Sequence, residues 1–229
     1  MKQKSVFFPL LKHFMHQEFA ARERVITPLL FAAVILLLFA FTLPEPPPEW
    51  QVRMLVAQCL ISSFFALQIA LSRAFESESQ DRVFDMLRTS PLNGTAFITA
   101  KLTHVIIMGA ATLLMTVVIT STMQGFSPPG LSHPASLAMG VLTLVGLSSL
   151  GVLLAVITLK AQAKQVLFPL LYFPLCTPVL IAGSEFLCRF LEKPVWDDTS
   201  QGWFIVLAAF DVIYLTLAVL MGSDAVSAE

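Results

Sequence analysis

SLAMGVLTLVGLSSLGVLLAVITL, residues 136–159, runs through 24 positions without one charged side chain. As a helix rising about 1.5 Å per residue it reaches ~36 Å, more than the roughly 30 Å of a bilayer's hydrocarbon core. Such a stretch reads as a transmembrane helix. Working outward from it, five more segments have the same character, at 25–43, 54–72, 102–123, 166–184 and 203–221. The composition agrees: of 229 residues 56% are apolar and only 13% charged, with a mean hydropathy of +0.79. A soluble domain carries about 25% charged residues, so this chain is too poor in charge to coat a water-facing surface. The expected fold is an all-α integral membrane protein with six transmembrane helices.

Ahead of the first span, SVFFPLLKHFMHQEFAARER (5–24) mixes Phe7, Leu10, Leu11, Phe14 and Phe19 with Lys12, Arg22 and Arg24. It reads as an amphipathic helix lying in the membrane interface. The first apolar run lies behind this charged segment without a small-residue cleavage site, so no cleavable signal is expected. The expected organisation is an interfacial helix over 1–24, one six-span unit over 25–221 and a short tail over 222–229. With the N-terminus inside, the inner segments hold eleven Lys and Arg and the outer loops three. That asymmetry puts both termini in the cytoplasm. Trp50, Trp196 and Trp203 then all fall at the outer edge, as an aromatic belt at the headgroups would. PEPPPEW (44–50) reads as a stiff link between the first two spans.

Several chemistries are excluded or poorly supported. There is no GxxxxGK[ST] run to cradle phosphates, so ATP chemistry belongs to another chain. A net charge of −1 argues against nucleic acid as a partner. Cys59, Cys176 and Cys188 have neither CxxC nor CxxCH spacing and read as small apolar residues. His13 and His16 share a helix face but lack a third metal ligand. His133, in an outer loop, is a weak candidate for a haem ligand. GLSSLG (146–151) faintly suggests a serine nucleophile; helix packing through Gly151 and Ala155 is the better reading. No catalytic residue, metal site or cofactor is assigned to this chain.

Polar groups inside spans cost free energy and so mark candidate sites. Asp211, in FIVLAAFDVIYLTL, is the one charge near the middle of a span, where a carboxylate costs about 3 kcal/mol. It is expected to face the bundle interior, as a pathway residue or as a protonated group bonded to a neighbouring helix. Gln58, with Ser62 and Gln68, is a candidate partner for it, and His104 is a further candidate interior polar residue. The fifth span carries Pro169, Pro174 and Pro178. Each removes a backbone donor and pushes on the carbonyl four residues earlier, so a helix kinked to bend or to line a cavity is expected.

One segment contrasts with all this. RAFESESQDRVFDMLRTSPL (73–92) places four acids and two arginines between Glu76 and Thr89. As a helix, Glu78 and Arg82 are four apart, acid first, and Asp85 and Arg88 three apart. Val83, Met86 and Leu87 share a face beside Phe84, and Ser90-Pro91 ends the helix. Its bland reading is a solvated cap on the bundle; its functional reading is a docking helix for a soluble partner.

The segment resembles the same loop in the haem exporter protein B (CcmB) family, the permeases of cytochrome c maturation. Arg73, Phe75, Glu78, Gln80, Asp81, Phe84, Asp85, Leu87, Pro91, Leu92, Ala100 and Lys101 fall at that family's places without a gap. Pro174-Leu175-Cys176-Thr177-Pro178-Val179-Leu180-Ile181 resembles its fifth-span run. Arg82 stands where the family has glycine; glycine favours a break in a helix and arginine its continuation.

The resemblance implies a permease subunit of an ABC transporter in a bacterial inner membrane, coupled to ATP hydrolysis on a separate ATPase subunit. It implies haem as cargo or release of a haem-loaded chaperone. The implied partners are the ATPase, a haem-handling membrane protein and the haem chaperone, in a homodimer or hetero-oligomer. Glu78, Gln80, Asp81, Arg82, Phe84, Asp85 and Leu87 are the implied ATPase-coupling residues. The six-span design by itself equally suits an ABC-2-type permease for a lipid, glycan or drug, or a non-transporting assembly scaffold.

Overall fold

The computed structural model describes residues 4–44, 46–75, 94–158, 161 and 163–227. In chain order the long helices are α1 (Lys4–Ala20), α2 (Arg22–Thr42), α3 (Gln51–Ser72), α4 (Gly94–Gln124), α5 (Pro134–Ile157), α6 (Lys164–Glu192) and α7 (Asp198–Ser227). No strand occurs among the described residues. The helices α2 to α7 are the six that are long and apolar enough to cross a membrane. The protein is an all-α, multi-pass membrane protein.

Each expected span lies within or nearly within one helix, but the ends differ. α4 starts at Gly94 rather than 102, and α6 runs to Glu192 rather than 184. Apolar length sets how much of a helix the hydrocarbon covers; polar residues such as Thr95, Thr99, Glu185 and Arg189 simply continue it. Thr99 and Thr103 return their hydroxyls to the carbonyls of Thr95 and Thr99, at 2.8 Å each, so they do not compete with the helix. α1 and α2 are separate helices, broken at Ala21 (φ −92°, ψ 74°). In the 44–50 link, Pro47 is extended (φ −54°, ψ 151°), and a single 3-10 turn, Pro48–Trp50, then feeds α3.

The most enclosed helix is α5, which packs against α3, α4, α6 and α7. α2 and α7 lie at the periphery, with rows of apolar side chains turned outward: Leu30, Val34 and Leu38 on α2, Ile205, Val212 and Leu220 on α7. Close approach to α5 depends on glycine. A Cβ on Gly151 would run into the Leu71 side chain of α3, which is how the expected Gly151–Ala155 face is used.

Aromatic and hydroxyl groups fix α6 against its neighbours. Tyr172 stacks on Phe64 of α3 (centroids 5.4 Å apart) and on Phe168 (5.3 Å), and its hydroxyl donates to the Leu147 carbonyl of α5 at 3.2 Å. Tyr214 of α7 donates to the Leu175 carbonyl at 3.0 Å. At the far end, Trp196 meets Phe186, Phe190 and Phe204 edge-on. All three prolines of α6 sit inside one unbroken helix; Pro174 is exposed and Pro169 and Pro178 are half-buried.

Candidate functional site

The polar residues singled out above are spread over three places in the bundle. The segment bearing Glu78, Gln80, Asp81, Arg82, Phe84, Asp85 and Leu87 lies outside the described residues. Its two flanks are at one end of the bundle. Arg73 caps α3, its N–H reaching the Ala70 and Leu71 carbonyls, and Phe75 is wholly buried. The chain re-enters at Gly94, also buried, where α4 begins.

A cleft of about 140 Å³ opens at this same end, between α1, α2, α3 and the first half of α4. Glu18, Arg24, Arg73, Lys101 and His104 line it. Lys101 and His104 are one turn apart on α4, with 6% and 5% of their surface exposed. The Lys101 ammonium lies 4.6 Å from the ring centre of Phe14 and 5.4 Å from that of Phe75. Aromatic faces help compensate a cation withdrawn from water. His104 Nε2 stands 3.8 Å from the Glu18 carboxylate, and neither ring nitrogen has a hydrogen-bond partner among the described residues. The packing of Phe14 against Phe97, centroids 5.4 Å apart, holds α1 over α4 here. His104 is thus a buried polar residue that faces α1.

Gln58 is elsewhere. Its carbonyl accepts from the Gln124 amide at 2.8 Å, near the start of α3 and the end of α4. Nearby, Thr116 donates to the Leu113 carbonyl and Ser63 stands 3.1 Å from the Thr116 hydroxyl. Gln58 therefore does not serve Asp211, contrary to the expectation from sequence. Its carbonyl is engaged between α3 and α4.

Asp211 does face the interior, with 4% of its surface exposed. Its carboxyl lies directly against Gly146 of α5, where a Cβ would collide with Oδ1 and would also meet Val179 of α6 at 3.1 Å. Neither carboxyl oxygen has a hydrogen-bond partner among the described residues. A carboxyl so placed, at the junction of α5, α6 and α7, is costly and is not held by any described donor. No sequence signal pointed to Gly146, because glycine carries no chemistry of its own.

The weaker candidates resolve into structural roles. His133 caps α5: its Nδ1 accepts from the Ala135 N–H at 3.3 Å, which leaves the ring proton on Nε2, and its ring packs on Phe190. Ser149 returns its hydroxyl to the Val145 carbonyl at 2.6 Å. His13 and His16 are exposed on α1. No group of three metal-ligating side chains occurs among the described residues. The three cysteines are free and buried.

Comparison with known proteins bears on the chain as a whole. A family model described as "CcmB protein" matches residues 5–229. A protein of Pseudomonas aeruginosa named "Heme exporter protein B" is 29% identical over 216 residues, 93% of this chain and 92% of that protein. One of Rhodobacter capsulatus with the same name is 31% identical over 133 residues, 58% of this chain and 60% of that protein. The six-helix architecture, the flanks of the charged segment and a match extending from the first helix to the last residue therefore agree, and the chain belongs to the CcmB family.

Proposed function

We propose that this protein is the membrane-spanning permease subunit of an ABC transporter serving cytochrome c biogenesis. The observation that carries the reading is the extent of the family match, which takes in all six spans rather than one motif. In this reading ATP is bound and hydrolysed by a separate ATPase subunit, and the chain itself is no enzyme. The cargo is haem, or the product of the cycle is release of a haem-loaded chaperone. The partners are the ATPase, a haem-handling membrane protein and the chaperone, in a homodimer or hetero-oligomer.

The protein sits in a bacterial inner membrane with both termini in the cytoplasm, as the eleven-to-three division of cations favours. The charged segment 76–93, which joins α3 to α4 in sequence, is then cytoplasmic, and Glu78, Gln80, Asp81, Arg82, Phe84, Asp85 and Leu87 are its proposed ATPase-coupling residues. α1 lies along the inner interface, spans α2 to α7 form the permease, and the last residues form a tail. Motion reaches the membrane through α3 and α4, which flank the segment, and α6 bends at Pro169, Pro174 and Pro178.

A haem-stained gel of membranes from a strain lacking this gene, with and without the gene restored, tests the reading. Mature c-type cytochromes disappear and return. If the chaperone stays loaded in the deletion strain, the protein acts at chaperone release. Undiminished cytochromes would overturn the assignment.

A further inference from the structure

The cleft between α1, α2, α3 and α4 is not required by any step above, and its chemistry is specific. We propose that it binds the phosphate headgroup of an acidic phospholipid. Among the described residues, three cations, Arg24, Arg73 and Lys101, and one carboxylate, Glu18, line it. Two of those lining groups lie where spans begin or end: Arg24 at the start of α2 and Arg73 just past α3. That is the level of a membrane's headgroups, where basic pockets between spans attract anionic lipid.

Below the charged rim the walls are apolar, formed by Val25, Leu29, Leu67, Val105 and Met108. A ligand with an anionic head and a hydrocarbon tail matches that division. His104 supplies the second, independent sign of a ligand. It is 95% withdrawn from solvent and lines the cleft, and neither ring nitrogen has a hydrogen-bond partner among the described residues, the Glu18 carboxylate standing off at 3.8 Å from Nε2. A buried imidazole normally finds a partner, and a phosphate oxygen provides an acceptor for its N–H.

Size separates lipid from larger anions. Pockets for drug-sized ligands hold about 300–1,000 Å³. At about 140 Å³ the cleft admits a phosphate with the glycerol carbons next to it, not a macrocycle with two carboxylates. Acyl chains would continue along the apolar surfaces of α2 and α4, where Ile26, Leu30 and Ile107 are exposed.

The test uses the purified full chain in nanodiscs of phosphatidylcholine alone or with added phosphatidylglycerol. Native mass spectrometry counts retained lipid, and a parallel detergent sample receives inorganic phosphate. Phosphatidylglycerol is expected to be retained over phosphatidylcholine and to raise Tm, whereas inorganic phosphate does neither at millimolar concentration. Arg73→Gln, at an exposed side chain, should weaken retention about fivefold, the share of one cation near a lipid surface. His104→Leu should weaken it as well. Arg53→Gln, at the opposite end of the bundle, should leave it unchanged. Equal retention of the two lipids, or equal losses in Arg73→Gln and Arg53→Gln, would overturn the site. Stabilisation by inorganic phosphate matching that by phosphatidylglycerol would overturn the lipid and leave a free-anion site.

Discussion

Replacing Gly146 with alanine sets a methyl group where the Asp211 carboxyl now lies. Overpacking of this kind costs about 1–3 kcal/mol, which a thermal melt in detergent reads as a lower Tm. On an Asp211→Ala background the same change should cost clearly less, leaving only the tight contact with Val179, because the two residues occupy one space; additive losses would mean that they do not touch. Asp211→Asn should leave Tm unchanged, since no described donor holds the carboxylate form, and it should impair cytochrome maturation less than Asp211→Leu. Just ahead of α7, the Ser200 hydroxyl and its N–H, at 2.7 Å, hold the Asp197 carboxylate below its ordinary range. A carboxylate with a lowered folded value stabilises the helix start fully above the unfolded value, near 3.9, and loses that contribution as pH falls through the folded one. Amide protection at Ser200 and Gln201, corrected for the intrinsic pH dependence of exchange, should therefore fall below about pH 4, and should not do so in Asp197→Asn, which caps without titrating. A charge in mid-span was reason to expect burial, and Asp211 is buried. Its neighbour Gly146, the Gln58–Gln124 pair and the approach of Glu18 to His104 were not legible in the sequence, because each joins residues from different helices and leaves no local pattern.

At the level of helices, two changes separate structure from motion. Pro174→Ala with Pro178→Ala restores two backbone donors inside α6, where each proline costs about 3 kcal/mol relative to alanine. The double variant should be no less abundant and should melt higher, yet yield less mature cytochrome. Normal cytochrome levels would make the prolines a matter of helix shape only. Phe84→Glu should lower the ATPase recovered with the protein while membrane insertion stays intact. Span positions were readable because twenty apolar residues in a row have one physical solution. Helix ends were not, since Lys101, an expected boundary, sits inside α4 with its ammonium on the rings of Phe14 and Phe75. α6 likewise continues through Glu185 and Arg189, which lie 3.9 Å apart as a one-turn ion pair.

For the molecule as a whole, orientation can be mapped with two introduced thiols. Lys12→Cys on α1 and Gln201→Cys at the start of α7 are both at exposed positions. A maleimide that does not cross membranes should label position 201 in intact spheroplasts and position 12 only after lysis; the reverse pattern would invert the topology. The experiment is clean because Cys59, Cys176 and Cys188 are all buried within helices. The same burial matters beyond labelling. Thiol–disulfide exchange needs a thiolate that another sulfur can approach, and the burial of these three disfavours that approach. On the function proposed above, exposed thiols of its own would be open to mixed disulfides with the cysteines of other proteins. Its own sulfur is kept out of that traffic, so its activity should be indifferent to the redox poise on either side of the membrane.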